Sequence, residues 1–339
     1  MLLNLSASPQ SGNLLPVKIV ANETASKIDI YIGDKYFTSY MYSPIYEKPF
    51  LYPIAASNGT LITRGFPINT RPGERVDHPH QVGMWFTYGD VNGLDFWNNS
   101  YAIPESEKKK YGKIIHRKIS TLSSGTNAGK LTVELEWVDY LGKVLLKEET
   151  TFSFSGNITE RYIERTSKLT AVADKVVFGD NKEGLMGLRV DRAFESPSTQ
   201  PLIFSDANGK PTKVALMDNT GVNGLYKCSS DFQGDSVWGK RNKWVSLTAN
   251  LKGTDISIVV FDHHLNIGYP AHAHARGYGL FAINNFGNHV FNPAEAVSSF
   301  ELKGSNATTM KYLFVIKCGS ELTKDEADKI AVEFDNKPE

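Results

Sequence analysis

The sequence predicts an all-β protein, a large antiparallel β-sandwich with one C-terminal helix. Three observations support this fold class: apolar and polar residues alternate through many segments, turn-forming residues separate those segments, and a helical pattern occurs only near the end. Since no internal repeat or low-complexity linker divides the chain, residues 16–339 are expected to form one domain behind a flexible leader at residues 1–15.

The strand predictions rest on alternation between an apolar and a polar face. In KIDIYI (27–32) the three isoleucines share one face, and LTVELEW (131–137) repeats the pattern. Further strands are predicted at 143–154, 161–169, 175–180, 255–262, 271–279 and 311–316. Turns rich in Gly, Asn and Ser are predicted at 57–60, 123–130, 155–157 and 206–211.

The segment LTKDEADKIAVEF (322–334) is predicted to be the helix. Thr323 and Glu326 have the spacing of a capping box, in which the two residues satisfy each other's free backbone N–H groups. Four apolar residues then recur at helical spacing: Ala327, Ile330, Ala331 and Phe334. This stripe is expected to pack on the outside of the sheets.

Charge and composition exclude several classes of partner. Lysine plus arginine (37) balance aspartate plus glutamate (37) among the 339 residues, so no net positive field attracts nucleic acid. No apolar run approaches the length that spans a bilayer, so no membrane span is predicted. Nothing in the composition fixes an oligomeric state.

Cysteine content and the first residues bear on the compartment. Cys228 and Cys318 are the only cysteines, which leaves a disulfide and two buried thiols as alternatives. The first residues lack the basic and apolar segments of a complete signal peptide. The protein is expected to be periplasmic if a signal peptide was trimmed from it, and cytoplasmic otherwise.

Six of the eight histidines fall in two windows, and the first window is 71–97. Pro79 favours an extended chain that leaves His78 and His80 on the same side. The window continues with two aspartates and two tryptophans: Asp90, Asp95, Trp85 and Trp97. Aromatic faces stack on sugars and carboxylates accept hydroxyl hydrogen bonds, so this composition favours a sugar site over the alternative of a packed, aspartate-capped loop.

The second histidine window, 261–280, contains the segment AHAHARGYG (271–279), in which large polar residues alternate with alanine and glycine. A strand would place all the large side chains on one face: His272, His274, Arg276 and Tyr278. Arg276 is a fixed cation that suits a substrate carboxylate or developing negative charge. The alternative is an exposed polar face with a close neighbour on the small side.

A third segment, FGDNKEGLMGLRVDR (178–192), places Glu183 at a glycine-flanked turn that enters an apolar strand. Burial would tune the pKa of such a carboxyl group for general acid or base catalysis. Glu183 could equally be an ordinary turn residue.

These groups suit three kinds of site. Paired His and Glu side chains transfer protons on sugars in mutarotation, lyase elimination or glycoside cleavage. Alternatively, His78, His80 and His274 hold a divalent metal, or the polar face binds a saccharide without turnover. Motifs of serine hydrolases and of nucleotide or dinucleotide sites are absent, so no cofactor is predicted and the divalent metal stays an alternative.

Six segments resemble, in order and spacing, the bacterial PmoA-like family, a domain of unknown function. They are KPFLYPIAASNG, DHPHQVGMWFTYGDVNGLDFW, NKEGLMGLRV, VWGKRNKWV, FDHHLNIGYP and HARGYGLFAINNFG, between about residue 36 and about residue 318. The resemblance implies a role in carbohydrate utilisation and a galactose-mutarotase-like supersandwich, a fold that hosts mutarotases, polysaccharide lyases and glycosidases. The label "methane oxygenase" attached to the family does not suit a chain without a transmembrane segment.

The resemblance also singles out individual residues. His78 and His80 match the family's DHPHH motif, but Gln81 replaces its last histidine and Val82 the following arginine. The other matches are Glu183 in the KEG turn and His274 with Arg276 in the H-x-R pattern. His272 stands where the family more often has an aromatic or small polar residue.

The sequence therefore predicts an enzyme of the hydrolase, lyase or epimerase type, acting on a small-molecule or oligosaccharide substrate. Five side chains are expected to share one cleft: His78, His80, Glu183, His274 and Arg276. His80 or His274 is expected to carry the proton, with Glu183 as carboxylate partner. Arg276 is expected to anchor the substrate. Further substrate contacts are predicted for Gln81, Trp85, Asp90, Asp95, Trp97, His272 and Tyr278, with the two tryptophans as stacking surfaces.

Overall fold

The computed structural model describes residues 13–215 and 218–337, which form two large antiparallel sheets packed around one core. The predicted β-sandwich is confirmed. Most of the predicted leader, residues 1–12, lies outside the described residues. Leu15, near its end, donates its N–H to the carbonyl of Gly156 at 2.9 Å and packs against the core.

Sheet I has nine strands within the described ranges. All strands of the protein are numbered in chain order. In spatial order they are β1 (Val17–Asn22), β2 (Lys27–Ile32), β3 (Lys35–Met41), β4 (Phe50–Leu51), β5 (Met84–Phe86), β11 (Met186–Arg189), β19 (Leu280–Asn284), β18 (Ala271–Arg276) and β15 (Arg241–Asn242). Its middle strands come from three distant parts of the sequence, which is how the two histidine windows and the Glu183 segment become neighbours.

Sheet II has eight strands in the same described part of the chain. In spatial order they are β14 (Leu225–Cys228), β16 (Trp244–Leu251), β17 (Thr254–Asp262), β21 (Ala307–Cys318), β9 (Glu160–Ala171), β8 (Val144–Gly156), β7 (Ala128–Val138) and β6 (Lys113–Ser123). Every strand predicted from a long alternating run between 131 and 169, and between 255 and 262, lies in this sheet. Long alternating runs are typical of strands with one buried and one solvated face.

Smaller elements connect the sheets. Two further pairs are β10 (Lys175–Phe178) with β20 (Phe300–Lys303), and β12 (Leu202–Ser205) with β13 (Pro211–Val214). The 3₁₀ helices are Glu23–Ala25, Glu105–Lys110, Arg192–Phe194 and Gly234–Val237. A one-turn helix, α1 (Asn288–Phe291), was not predicted from the sequence.

Cys228 and Cys318 are buried free thiols, which decides between the two alternatives for the cysteines.

The predicted C-terminal helix is confirmed as α2 (Lys324–Asp335). The capping box forms as expected: Glu326 accepts the N–H of Thr323 at 2.8 Å, and Thr323 accepts the N–H of Glu326 at 3.3 Å. Ala327, Ala331 and Phe334 pack on the outer face of sheet II. Among the residues described, neither helix has the length and apolarity that crossing a bilayer requires.

Candidate active site

A cleft of about 780 Å³ lies on the outer face of sheet I, the face turned away from the core. The residues that line it are Arg75, His78, His80, Gln81, Asn98, Lys182, Glu183, Ser196, Pro197, Ser198, Gln200, Leu202, Asp235, Trp238, His274, Ala275, Arg276, Gly277 and Tyr278. The five side chains expected to converge are all among them. Three segments far apart in sequence therefore contribute to one cavity.

Strand β18 supplies one wall of the cleft through the alternation seen in its sequence. Its alanines, Ala271, Ala273 and Ala275, face the core between the sheets. His274 and Arg276 consequently face outward, as expected of a strand. The strand ends at Arg276, and residues 277–279 form the turn to β19, with Gly279 at a φ of 90°.

Tyr278 joins the second histidine window to the first. Its ring stacks on the imidazole of His78, with centroids 4.9 Å apart and planes 2° from parallel. The guanidinium of Arg189, on β11, lies over the same tyrosine ring at 4.9 Å. Tyr278 therefore contacts residues of two other segments, and these contacts hold its ring at the cleft.

The loop that carries the first histidines is held by two buried arginines. Arg64 donates to Asp77 Oδ1 at 2.6 Å and to the carbonyl of His78 at 3.1 Å. Arg189, which is fully buried, donates to Asp77 Oδ1 at 2.7 Å and to Gln81 Oε1. Burial alone would raise the pKa of Asp77, but His78 and the two guanidinium groups hold it well below its usual range. Asp77 therefore stays ionised and accepts hydrogen bonds from both arginines that hold this loop.

His78 and His80 differ in their environments. His78 has a φ of 45°, in the left-handed region, and its Nδ1 lies 3.3 Å from Asp77 Oδ2. His80 is buried, and its Nε2 has no hydrogen-bond partner within the described ranges. Burial, followed by the nearby Lys48 ammonium, holds the pKa of His80 well below its ordinary value. His80 is therefore a neutral imidazole at physiological pH.

Glu183 and His274 form an acid–base pair in the cleft. Glu183 Oε2 lies 3.7 Å from His274 Nε2, and Glu183 Oε1 lies 3.5 Å from the Lys182 ammonium. Burial raises the pKa of Glu183, whereas Lys182 opposes that rise. Burial, followed by Arg276 and Lys182, lowers the pKa of His274 to about 3. The pair thus couples a neutral imidazole to a carboxyl group whose proton is held more tightly than usual.

Close packing at glycines brings Glu183 into position. Glu183 accepts the N–H of Gly89 on its backbone carbonyl at 2.7 Å, and donates its own N–H to Asn181 Oδ1 at 2.9 Å. A Cβ at position 89 would lie only 2.8 Å from the Cβ of Glu183. The sequence window around Gly89 therefore matters to the cleft through its backbone.

Trp85 and Trp97 do not reach the cleft, which corrects their assignment as stacking surfaces. Both side chains are fully buried and contact each other at 4.9 Å between ring centroids. They pack beneath the cleft in a second apolar cluster on the outer face of sheet I. Since neither ring face is exposed, neither can stack on a sugar.

The predicted aspartates and His272 serve the fold instead of lining the cavity. Asp90 accepts the N–H of Gly93 at 2.9 Å and so closes a turn. Asp95 accepts from the backbone of Trp97 and, at 2.7 Å, from the side chain of Asn98, which does line the cleft. His272 is buried, with Nδ1 3.0 Å from the carbonyl of Gly239 and its ring stacked on Phe291. None of the three is among the residues that line the cleft, so the prediction that they contact the substrate is corrected.

The alternative metal set does not converge. Among the described residues, the one group of three histidine or carboxylate side chains with ligand atoms within 4.8 Å of one another is His263, His264 and Asp335. It lies where β17 meets the end of α2, and His263 Nδ1 already accepts the N–H of Leu265 at 3.2 Å. His78, His80 and His274 share the cleft without forming such a group.

Sequence reasoning missed several residues that shape the site. Arg189 lies in an otherwise apolar strand, and a lone arginine in such a run is a signal of a buried ion pair. Trp238 lies in VWGKRNKWV, a segment that contributed to the family resemblance but had no assigned role. Arg64 and Lys48 gave no comparable signal, because each is an isolated cation in an irregular segment.

The chain has remote likenesses among solved structures and none among curated proteins. It is 9% identical to the galactosidase domain of alpha-galactosidase-sucrose kinase, with a TM-score of 0.40 over 91% of this chain and 42% of that one, so it spans less than half of that protein. It is 11% identical to a galactose mutarotase-like protein from Clostridium acetobutylicum, with a TM-score of 0.32 over 90% of this chain and 99% of that one. For a galactose mutarotase related enzyme from Lactobacillus acidophilus the identity is 10% and the TM-score 0.28, over 90% of this chain and 97% of that one. No curated protein matches the chain.

One protein family matches nearly the whole of the described chain, from residue 27 to residue 332. The match does not carry the PmoA-like name that the motifs suggested. The chain belongs to the family of unknown function DUF6807.

Proposed function

We propose that the chain is a carbohydrate-active enzyme that moves a proton on a saccharide bound in the cleft of sheet I. The observation that supports it best is the Glu183–His274 pair, 3.7 Å apart, inside a cavity of about 780 Å³ lined mainly by polar side chains. A cavity of that size holds a mono- or disaccharide. The hydroxyl, amide and carboxylate groups around the pair match the many hydroxyls of a sugar.

The two pKa shifts assign the roles within the pair. A histidine with a pKa of about 3 is a weak base at neutral pH, but its neutral ring can donate a hydrogen bond to a sugar oxygen. Glu183, whose pKa is raised, is the better proton acceptor. We therefore assign proton abstraction to Glu183 and oxygen polarisation to His274, which refines the sequence-based assignment of a histidine as proton carrier.

The composition of the pair also favours one class of reaction. Most glycosidases place two carboxyl groups on opposite sides of the scissile bond. Here one carboxyl group adjoins one imidazole, an arrangement that suits proton removal from a sugar and its return, as in mutarotation, epimerisation or elimination. Hydrolysis remains part of the same experimental panel.

The test combines binding with chemistry on a defined panel. Wild-type protein is incubated in D₂O with neutral and acidic mono- and oligosaccharides, while NMR follows deuterium incorporation, anomer exchange and new products. Thermal unfolding measures binding in parallel. Glu183→Gln is expected to lower the rate by about 100-fold or more while the ligand still stabilises the fold.

Glu134→Gln is the matched control, since this glutamate is exposed on sheet II and pairs only with surface groups. It should leave the rate unchanged. If sugars stabilise the fold but none shows deuterium incorporation, anomer exchange or a new product, the enzymatic proposal is contradicted and a saccharide-binding protein is favoured.

A further inference from the structure

We infer that the saccharide taken by this cleft is anionic, and that Arg276 binds its negatively charged group. The inference rests on the proposed function, since it identifies the substrate class of the same site. It is carried by the way Arg276 is held: the side chain is fixed in place, yet its hydrogen-bonding groups are not used by the protein.

Arg276 is fixed by an aromatic contact. Its guanidinium lies 4.5 Å from the ring centroid of Trp238, and Trp238 packs edge-on against Phe291 at 5.2 Å. A cation–π contact with an indole face holds a guanidinium without using a hydrogen-bond acceptor of the protein. Arg276 is thus oriented before any ligand arrives, which reduces the entropy that binding costs.

No carboxylate or carbonyl of the described chain takes up those N–H groups: Arg276 has no ion pair and no side-chain hydrogen bond there. The exposed Asp235 lines the same cleft but does not come within ion-pair distance of Arg276. A half-buried guanidinium without a partner is an obvious receptor for an anion, which it can bind through two parallel hydrogen bonds.

The other arginines around the cleft already have carboxylate partners. Arg75 donates to Glu195 at 2.5 Å, with both side chains almost fully buried. Arg64 and Arg189 share Asp77 at 2.6 and 2.7 Å. Arg276 differs from all three, so it supplies charge that a ligand can complement.

Ser196, which lines the same cleft, lies beside Gly277, the residue that follows Arg276. The backbone N–H of Ser196 donates to the carbonyl of Gly277 at 2.7 Å. A Cβ at position 277 would lie 3.1 Å from both Cβ and Oγ of Ser196, so glycine there allows this approach. Lys182 is exposed at the rim and lies 3.5 Å from Glu183, so its charge, unlike that of Arg276, already has a carboxylate partner.

The test uses pairs of sugars that differ only at C6, where the acidic member has a carboxylate and the neutral member a hydroxymethyl group. Isothermal titration compares galacturonate with galactose and glucuronate with glucose, as monosaccharides and as short oligomers. Galactose 6-phosphate and galactose 6-sulfate distinguish which anionic group is preferred. In wild-type protein the acidic member of a pair is expected to bind at least 10-fold more tightly, with a preference that declines as salt increases.

Arg276→Gln should abolish the preference for acidic sugars. It should weaken the affinity for the acidic sugar and keep the affinity for the neutral sugar within about threefold of the wild-type value. Arg276→Lys keeps the charge without the planar fork and should retain part of the preference. Arg117→Gln, which replaces an exposed arginine of sheet II, is the control and should change neither the affinity for the acidic sugar nor that for the neutral one. Equal affinity for both members of each pair, or an equal loss of both in Arg276→Gln, would overturn the inference.

The two proposals can fail separately. Turnover of neutral sugars without preference for acidic ones contradicts only the anionic substrate. Tight, Arg276-dependent binding of an acidic sugar without proton exchange or product contradicts only the enzymatic proposal.

Discussion

Neutral histidines are the main electrostatic feature of the cleft at the scale of single residues. His274 has a pKa of about 3, and that of His80 is also well below normal, in both cases chiefly because burial disfavours the imidazolium form. Each would carry a proton in the unfolded chain at mildly acidic pH. Burial therefore keeps the imidazoles of His80 and His274 uncharged, which suits hydrogen-bond donation to a sugar oxygen.

Acidification should destabilise the fold partly through His274. Because its folded pKa is depressed, its contribution to stability is complete above the unfolded value near 6.5 and is lost progressively as pH falls toward about 3. Urea unfolding of wild type and of His274→Asn at pH 7, 6, 5 and 4 measures this. The free energy of unfolding should fall more steeply in the wild type, by at most about 1.4 kcal/mol per pH unit.

The comparison isolates one histidine, because the buried carboxyl groups are common to both proteins. The buried Asp262, whose pKa is raised to about 7, acts in the opposite direction over much of the same range. Parallel curves for the wild type and His274→Asn would show that His274 is not buried as a neutral group.

At the scale of the element, the central strands of sheet I are specialised on their two faces. Strand β11 turns Met186 and Leu188 to the core, while Gly187 and Arg189 face outward. A Cβ on Gly187 would lie 2.6 Å from the Trp85 ring. The absence of a side chain at 187 is what lets the two tryptophans pack against β11.

Gly187→Ala should therefore destabilise the protein by about 1–3 kcal/mol through overpacking. Chemical denaturation measures the loss. Gly304→Ala is the control, because a Cβ there would meet nothing closer than 3.9 Å. Equal stability of Gly187→Ala and wild type would mean that the indoles move aside without cost.

At the scale of the whole molecule, a buried ion pair of sheet II contacts sheet I across the core. Arg165 on β9 donates to Glu148 on β8 at 2.5 Å, and the indole of Trp137 donates to the same carboxylate at 2.7 Å. The Arg165 guanidinium lies over Phe86 of sheet I at 4.7 Å. A charged network thus occupies the apolar core and contacts both layers.

Removing one partner of this pair should be costly, because it leaves the other charge buried. Arg165→Met is expected to destabilise the fold by about 3–5 kcal/mol. The double variant Arg165→Met, Glu148→Gln should be clearly more stable than the single one, since both charges are then gone. Additive losses in the double-mutant cycle would contradict the coupling.

The fold class and part of the site could be predicted because they depend on local patterns. Alternation in 131–137 and 255–262 reports which face of a strand is buried, and the capping box at Thr323 is a local hydrogen-bond pattern. The alternating sizes of residues 271–276 likewise fixed the outward face of His274 and Arg276. Glu183 was found through its glycine-flanked turn.

Tertiary structure alone decided which of the polar residues share the cleft. Alternation places His272 and His274 on the same face of β18. The His272 side chain nevertheless contacts the carbonyl of Gly239 and the ring of Phe291 and does not line the cleft. Trp85 is covered and Trp238 supports Arg276, although both are tryptophans in family-like segments. Periodicity determines the face on which a side chain lies, but distant segments determine whether that face is open, because burial and pairing depend on contacts that no local pattern contains.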